Sequence, residues 1–451
     1  MRFGIGKTGG RFVDWHKGVV MSITDHKDEK PTCFKFIPEI WKVDRLRDVT
    51  IINEYTLSAN TDPNHEIRYI DISNVNVTGI VSFDEIKKLT FEESPSRARR
   101  IVNRGDTIIS SVRTNLQAVA YIDFYSDNFI ASTGFFVCHA KFTEIVFPKF
   151  LYWFLLTNYS KDYFFSRSIG VSYPAIDDYK FSSIPMPLPP AKEQKTIADY
   201  LDKACQNIDK TITLKQQQLE KLEAYRKSVI HEAVTKGLDK TVPMKYSGVD
   251  WLGEIPAHWN IDRLKDVSSL RDEKTATKSS DENYLELEDI GQWTGKILNK
   301  RNTLEVASQV NIFYKGDVLF GKLRPYLAKY AHVNFDGKCT GEILAIEPIR
   351  VYGGYLAYYV GSKHFINHCD NFSYGAKMPR INWSTQMGTF PIPIPPLFVE
   401  QKFIADYLDK ASQGIDKTKE IILNQIKILT QYRLSLIHEC VTGKKRIYQG
   451  D

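Results

Sequence analysis

The sequence predicts an α+β chain: two mixed α/β domains related by pseudo-two-fold symmetry, separated by two long antiparallel coiled-coil helices. Three observations predict it. The chain repeats itself at long range, the divergent part of each repeat holds short β-branched and aromatic runs, and the near-identical part carries apolar residues by threes and fours.

The repeat comes first. EQKTIADYLDKACQNIDKT at Glu193–Thr211 returns as EQKFIADYLDKASQGIDKT at Glu400–Thr418, about 207 positions on, which is a duplicated domain unit and not a solenoid period. AYRKSVIHEAVT (Ala224–Thr235) answers QYRLSLIHECVT (Gln431–Thr442), and a proline run precedes each copy, ending at Pro190 and Pro396. Upstream the halves agree only at anchors. IPEIWKVDRLRDV (Ile37–Val49) faces IPAHWNIDRLKDV (Ile255–Val267), and RGDTIISSVRTNL (Arg104–Leu116) faces KGDVLFGKLRPYL (Lys315–Leu327), which aligns Arg113 with Arg324.

The divergent domains read as strand-rich. TIISSV, VAYI and FFVCHA are strand-like runs, and Gly-Asp before such a run marks a turn. One helix is expected at Phe147–Tyr159 and its counterpart at Tyr352–Phe365. In the near-identical segments Leu201, Cys205, Ile208, Ile212, Leu219, Leu222 and Val229 form an apolar seam, matched by Ile415, Ile422, Ile426, Leu429 and Leu436 and interrupted by Lys215, Arg226 and Arg433. Prolines set the helix starts, and Lys236-Gly237 and Gly443-Lys444 end them. Each helix would be roughly 60 Å long. One such stripe cannot be buried alone, but two near-copies can bury each other, and two-fold symmetry makes them antiparallel; the alternative is that each helix folds back on its own domain. The expected organisation is an N-terminal extension (1–36), a first domain (37–190), a central helix (191–240), a second domain (241–396), a distal helix (397–445) and a short tail (446–451).

Composition narrows the class. Of 451 residues, 43% are hydrophobic and 25% charged, as in ordinary globular domains, and a net charge of +6 permits a polyanionic partner without demanding one. The six cysteines, Cys33, Cys138, Cys205, Cys339, Cys369 and Cys440, form no C-x-x-C pair, so free thiols in a reducing compartment are expected. No apolar run has the length of a membrane span and the N-terminus lacks a signal-peptide core, so no membrane partner and a cytoplasmic location are expected.

Catalytic motifs are missing from the string. There is no Asn/Asp-Pro-Pro-aromatic motif and no G-x-x-x-x-G-K-[ST] loop, since Pro190 is followed by Ala191 and Pro396 by Leu397. The acidic cluster Glu286–Asp289 reads as an alternating strand without a convincing lysine partner. His231 and His438 recur in IHE with no second histidine four residues on, so they read as helix-surface residues at a partner interface and not as metal ligands. No catalytic or metal site is expected.

The doubled order closely resembles the specificity subunit of type I restriction–modification enzymes. The marks are IPxxW (Ile255–Trp259), the Gly-Asp-strand-Arg segment (Gly316–Arg324), MPRINW (Met378–Trp383), the proline runs and the EQ-initiated helices, together spanning about residues 37–445. The family opening MKYSGVDWLGEIPAHW stands at Met244–Trp259, whereas the first copy carries Met1–Phe36 instead, read as a loosely ordered extension. The resemblance implies two target-recognition domains, each reading one half of a bipartite asymmetric site in double-stranded DNA. It implies helices that act as a ruler and dock two methyltransferase (modification) subunits, with restriction (motor-nuclease) subunits outside. S-adenosylmethionine, ATP and Mg belong to those partners, and this chain has no cofactor. The competing reading is a self-contained DNA methyltransferase or nuclease with an unrecognised catalytic site; a scaffold with no role on DNA is a third.

Candidate residues follow from sameness and difference between the halves. Arg113 and Arg324, kept in both, suit phosphate anchoring or a structural salt bridge. Base readers should differ near a shared frame: Asn115, Gln117, Arg167, Ser172 and Tyr173 in the first half, and Lys322, Tyr326, Tyr374, Lys377 and Arg380 in the second. Arg97, Arg99, Arg100 and Arg104 form either a phosphate-facing stripe or a solvated helix face. Asp199, Asp202, Lys203 and Lys210 recur as Asp406, Asp409, Lys410 and Lys417, polar, expected to be exposed, and suited to touching two copies of one partner.

Overall fold

The computed structural model describes residues 11–14, 19–22, 34, 37–75, 81, 86–125, 128–170, 172–276, 283–302 and 309–447. The chain divides into two units: Met1–Thr213 with Ile426–Asp451, and Leu214–Gln425.

In the first unit, a Gly-Asp turn starts the strand Thr107–Ser110. Gly105 takes φ +96°, and the buried Asp106 accepts from the Asn103 N–H (2.7 Å) and pairs with His139 (2.8 Å). This strand lies in a four-stranded antiparallel sheet ordered Thr50–Ile52, Phe135–Ala140, Thr107–Ser110, Val119–Tyr121. A second sheet is ordered Lys87–Thr90, Glu66–Ile70, Phe129–Ser132, Ala98–Ile101, with Phe129–Ser132 parallel to Glu66–Ile70 and its other pairings antiparallel. A ribbon pairs Lys42–Arg45 with Pro185–Leu188. Prolines at alternate positions of that strand leave a two-stranded ladder workable, because the missing donors fall on its open edge.

The second unit repeats this plan. Its sheets are ordered Ser268–Leu270, Ile343–Pro348, Val318–Gly321, Tyr330–His332 and Lys274–Thr275, Val310–Phe313, Gly337–Cys339, Tyr284–Leu285, again with one parallel pair. Gly316 takes φ +97°, and the buried Asp317 pairs with Arg271 at 2.6 Å, where the first unit uses a histidine. Asn260–Arg263 pairs with Pro391–Ile394 as the equivalent ribbon.

The long helices span Ala191–Lys236 and Phe398–Val441. Each gives one half to each unit, and in each unit the halves run antiparallel. In the first, Asp209 pairs with Arg433 (3.0 Å) and Tyr200 accepts from Lys445 (3.0 Å), while Cys205 and Ile208 share a core with Leu436, Ile437, Cys440 and Val441. In the second, Glu223 pairs with Lys419 and Arg226 with Asp416. The arginines that interrupt the seam are thus buried ion-pair partners. Each half-helix also lies on its domain: Ile230, Ala233 and Val234 share a core with Trp259 and Tyr355.

Several expectations need correction. Phe147–Tyr159 is not one helix but two, Pro148–Leu155 and Asn158–Arg167, because Thr157 caps the second by accepting from the Ser160 N–H (3.2 Å) while donating to the Phe154 carbonyl (2.7 Å). The counterpart also breaks, into Gly353–Val360 and Lys363–Asn371, at Gly361, where a Cβ would lie 2.1 Å from the Tyr330 ring. Glu286–Asp289 is a tight turn, Leu287–Asp289 being a one-turn 3-10 helix, and its acids ring Arg301. Ala98–Ile101 is a strand, so Arg97–Arg104 is no helix face. Among the first 36 residues, Arg11–Asp14 pairs antiparallel with Val19–Ser22 and Phe34 is buried in the first core; the remainder lies outside the described residues, as does Cys33. The other five cysteines are free and buried.

His231 is half-buried rather than on the helix surface. Its ring stacks on His364 (centroids 3.7 Å apart), and burial, then His364 and Lys236, push its imidazole down to about 4. His438 is likewise half-buried, its pKa lowered by burial and then Lys444. Because the folded value of His231 lies below the ordinary 6.5, the unfolded chain takes up the proton first as pH falls. His231 should therefore take stability from the second unit between about pH 6.5 and about 4, its own contribution being constant below that. Urea unfolding of His231→Phe across that window should show a flatter pH dependence than the parent chain.

Candidate nucleic-acid interface

Two loops in each unit are held together at the end of the strand that follows the Gly-Asp turn. After Thr107–Ser110, Arg113 adopts a left-handed conformation (φ 50°), one 3-10 turn covers Thr114–Leu116, and Gln117 is left-handed again (φ 47°). After Val318–Gly321, Arg324 (φ 52°), Pro325–Leu327 and Ala328 (φ 47°) repeat the sequence of conformations. Side chains other than glycine rarely occupy this region, so a neighbour must hold it.

The neighbour is a hairpin. Ile169 and Ala175 exchange two backbone hydrogen bonds (2.8 and 3.0 Å), and Tyr374 and Arg380 do the same (2.9 Å each). Gly170 (φ +106°) and Gly375 (φ +101°) make the turns possible; a Cβ on Gly170 would lie 2.9 Å from the Tyr173 carbonyl oxygen. The Pro174 carbonyl accepts from the Thr114 N–H (3.4 Å), and the Pro379 carbonyl from the Arg324 N–H (2.7 Å). Each hairpin is thereby fastened to the loop that carries the arginine.

The sequence-selected residues gather on these loops. Arg113 is exposed with its guanidinium 4.7 Å from the centroid of the Tyr173 ring; Asn115 and Ser172 are exposed. Arg167 sits over Tyr163 at 3.8 Å and donates to Ser166 Oγ. Arg324, Tyr326, Tyr374 and Lys377 are exposed, and Lys322 is half-buried. Two others are engaged within the fold. Gln117 turns inward, its amide nitrogen donating to the carbonyls of Leu155 and Thr157 (3.1 Å each), which ties the loop to the helix break. Arg380 is engaged by Glu342 at 3.1 and 3.2 Å. Of the arginine cluster, Arg97 pairs with Asp71 (2.8 Å), Arg99 lies over Phe91, Arg100 donates to Thr56 (3.4 Å) and Arg104 pairs with Asp123. Thr114, buried and bonded to Ser168 (2.8 Å), is a loop anchor that sequence reasoning missed.

On the helices, the recurring acids have two fates. Asp202 accepts from Lys149 (2.6 Å) and from the Trp153 indole (3.2 Å), and Asp409 accepts from the Tyr358 hydroxyl (2.7 Å). Each of these two fastens its own domain, Asp202 half-buried and Asp409 exposed. The same holds for Glu193 and Glu400, which accept from the indoles of Trp41 (3.0 Å) and Trp259 (2.9 Å), and for Gln194 and Gln401, which accept from the Phe147 and Tyr352 N–H groups. Asp199, Lys203, Lys210, Asp406, Lys410 and Lys417 are exposed. So are two apolar pairs at matching positions that charge patterning overlooked, Leu214 with Ile421 and Tyr225 with Tyr432.

Among the described residues, no group of three or more His, Cys, Asp or Glu is placed to hold a metal ion, and no helix is long and apolar enough to cross a membrane.

One α/β frame built twice, presenting matched loops whose side chains differ, defines a class of modular recognition proteins. Residues 38–224 and 256–427 match the type I restriction modification DNA specificity domain, and the chain belongs to that family. Its relatives include the EcoDI specificity subunit of Escherichia coli, 25% identical over 64% of this chain and 68% of the relative. The putative MjaX specificity subunit of Methanocaldococcus jannaschii is 24% identical over 95% of this chain and all of the relative. Among solved structures, the fold is shared with a chain from a study of complex assembly and conformational transition of the type I R-M system (TM-score 0.74, 21% identity, 91% of this chain and 99% of that one). It is shared also with the HsdS subunit of Thermoanaerobacter tengcongensis (TM-score 0.55, 21% identity, 91% and 98%).

Proposed function

We propose that this chain is the non-catalytic, sequence-reading subunit of a type I restriction–modification complex in the cytoplasm, each domain reading one half of a bipartite asymmetric site in double-stranded DNA. The observation that carries this reading is the duplication itself: the same clamped pair of loops occurs in both units with different side chains on it. A shared frame with unlike contact residues suits two ligands of one class, as two half-sites are. The long helices set the half-site spacing. Their matched exposed residues, Asp199, Lys203, Lys210, Leu214 and Tyr225 with Asp406, Lys410, Lys417, Ile421 and Tyr432, dock two copies of one methyltransferase subunit, and restriction subunits bind outside these. S-adenosylmethionine, ATP and Mg are assigned to those partners. Native mass spectrometry of the co-expressed complex should give two methyltransferase subunits per chain; a stable one-to-one complex at saturating partner would count against the docking scheme.

Arg324 serves as a phosphate anchor in this reading. Arg324→Ala should weaken binding to every DNA sequence and flatten the salt dependence by about one charge. Affinity titrations at several salt concentrations check it, and relaxed specificity at one base pair with affinity otherwise kept would assign Arg324 to base reading.

A further inference from the structure

We propose that the two hairpin tips meet DNA through apolar side chains, Ile169 with Tyr173 in the first unit and Tyr374 with Met378 in the second, each pair packing on the apolar surface of a base. The inference rests on the DNA-reading function above and deepens it by naming contacts that carry no charge.

Its basis is a construction that occurs twice. In each tip the two large side chains stand at the ends of a five-residue stretch whose second residue is the left-handed glycine. They remain open to solvent, with 71% and 65% of the surface of Ile169 and Tyr173 exposed, and 57% and 47% for Tyr374 and Met378. Solvent-facing turns ordinarily carry Asn, Asp, Ser or Gly, for which local hydrogen bonding and left-handed backbone give a reason. Large apolar groups at all four positions have no such reason. Both tips are anchored at their bases: paired backbone bonds join Ile169 to Ala175 and Tyr374 to Arg380, and a proline carbonyl fastens each hairpin to the arginine loop. An apolar group on an anchored hairpin loses less entropy on contact than one on an unanchored loop.

The neighbouring charges fit a polyanion. Arg113 lies over the Tyr173 ring, and Lys377 stands within the second tip next to Met378. The base surface available to such a group is either a thymine methyl in the major groove or the face of a partly opened base step. Because one tip offers an aliphatic and a phenolic group and the other a phenolic group and a thioether, the two favour different base surfaces, as an asymmetric site requires.

The test uses the full chain with its methyltransferase subunits on a duplex carrying its site, identified from the methylation pattern of the source cell. Ile169→Ser and Met378→Ser change no charge. Each should bind on the order of tenfold more weakly at every salt concentration, with an unchanged salt slope and relaxed discrimination confined to its own half-site. Unchanged affinity and discrimination, or a flattened slope, would overturn the proposal. A second arm leaves the protein intact. Replacing thymine by uracil within a half-site should weaken binding if the methyl is the contact, and 2-aminopurine there should brighten on binding if a step is opened. Neither response in either half-site would also overturn it. Loss of all site preference by the parent complex would remove the DNA-reading function and this proposal together, whereas a selective parent with unaffected variants would remove the proposal alone.

Discussion

A fragment of residues 244–451 should pair with a second copy of itself and, given the methyltransferase, modify a palindrome built from the second half-site. The second domain rests on Ile230, Ala233 and Val234 of the central helix, and its Tyr355 hydroxyl donates to the Val234 carbonyl. The fragment lacks all of these. A second copy brings Ile437, Cys440 and Val441 at the same places in the repeat, and Arg433 where Arg226 meets Asp416. The replacement is imperfect. Glu223, which pairs with Lys419, becomes Thr430, and Lys227, which lies 3.8 Å from the Trp293 centroid, becomes Leu434. Joining in one chain also supplies an effective concentration that the fragment forgoes. The dimer should therefore be weaker than the intact chain yet hold a similar spacing, about 10–10.5 bp between half-site centres if one DNA turn separates them. Sedimentation equilibrium reports the pairing and methylation sequencing the palindrome. A folded fragment that stays monomeric at high concentration with the partner present would refute the exchange.

Asp416→Ala should destabilise the second unit by about 3–5 kcal/mol, the usual consequence of stranding one member of a buried ion pair. Arg226 is 1% exposed, and its Nε and Nη1 atoms are buried without a hydrogen-bond partner, so Asp416 is the acceptor that offsets its desolvation. Burial alone would raise the Asp416 carboxyl, yet hydrogen bonds from Lys296 and Arg226 bring it below the ordinary carboxylate value. Removing the arginine as well, in Arg226→Met with Asp416→Ala, should recover most of the loss, because no buried charge is then left alone. Urea midpoints of the parent, single and double variants decide the matter: equal loss in single and double variants would mean that packing, not charge, is what the site supplies.

Much of the architecture was legible because the chain contains its own comparison. Apolar residues spaced by threes and fours marked the helices, and the Gly-Asp turns marked the strands that lead to Arg113 and Arg324. The helix breaks after Leu155 and Val360 were hidden, since a continuous apolar run masks a cap made by one Thr157 hydroxyl or a glycine required by the Tyr330 ring. The intradomain contacts of Asp202 and Asp409 were hidden for a related reason. Their donors, the Trp153 indole and the Tyr358 hydroxyl, differ between halves, so identical carboxylates looked free of their own domains. The arginine loops could be found by alignment of the halves, but their clamp to hairpins more than fifty residues on depends on backbone hydrogen bonds, which no side-chain pattern records.

The division of each long helix between two units also sets an order of synthesis. The second unit is one continuous stretch, Leu214–Gln425, complete once its last residue leaves the ribosome. The first unit, though translated earlier, counts Leu436, Ile437, Cys440 and Val441 among its core residues and must wait for them. Its closing contacts span nearly the whole chain, the kind that form slowly and leave apolar surface open meanwhile. A premature stop near residue 430 would therefore injure the domain made first and spare the one made second.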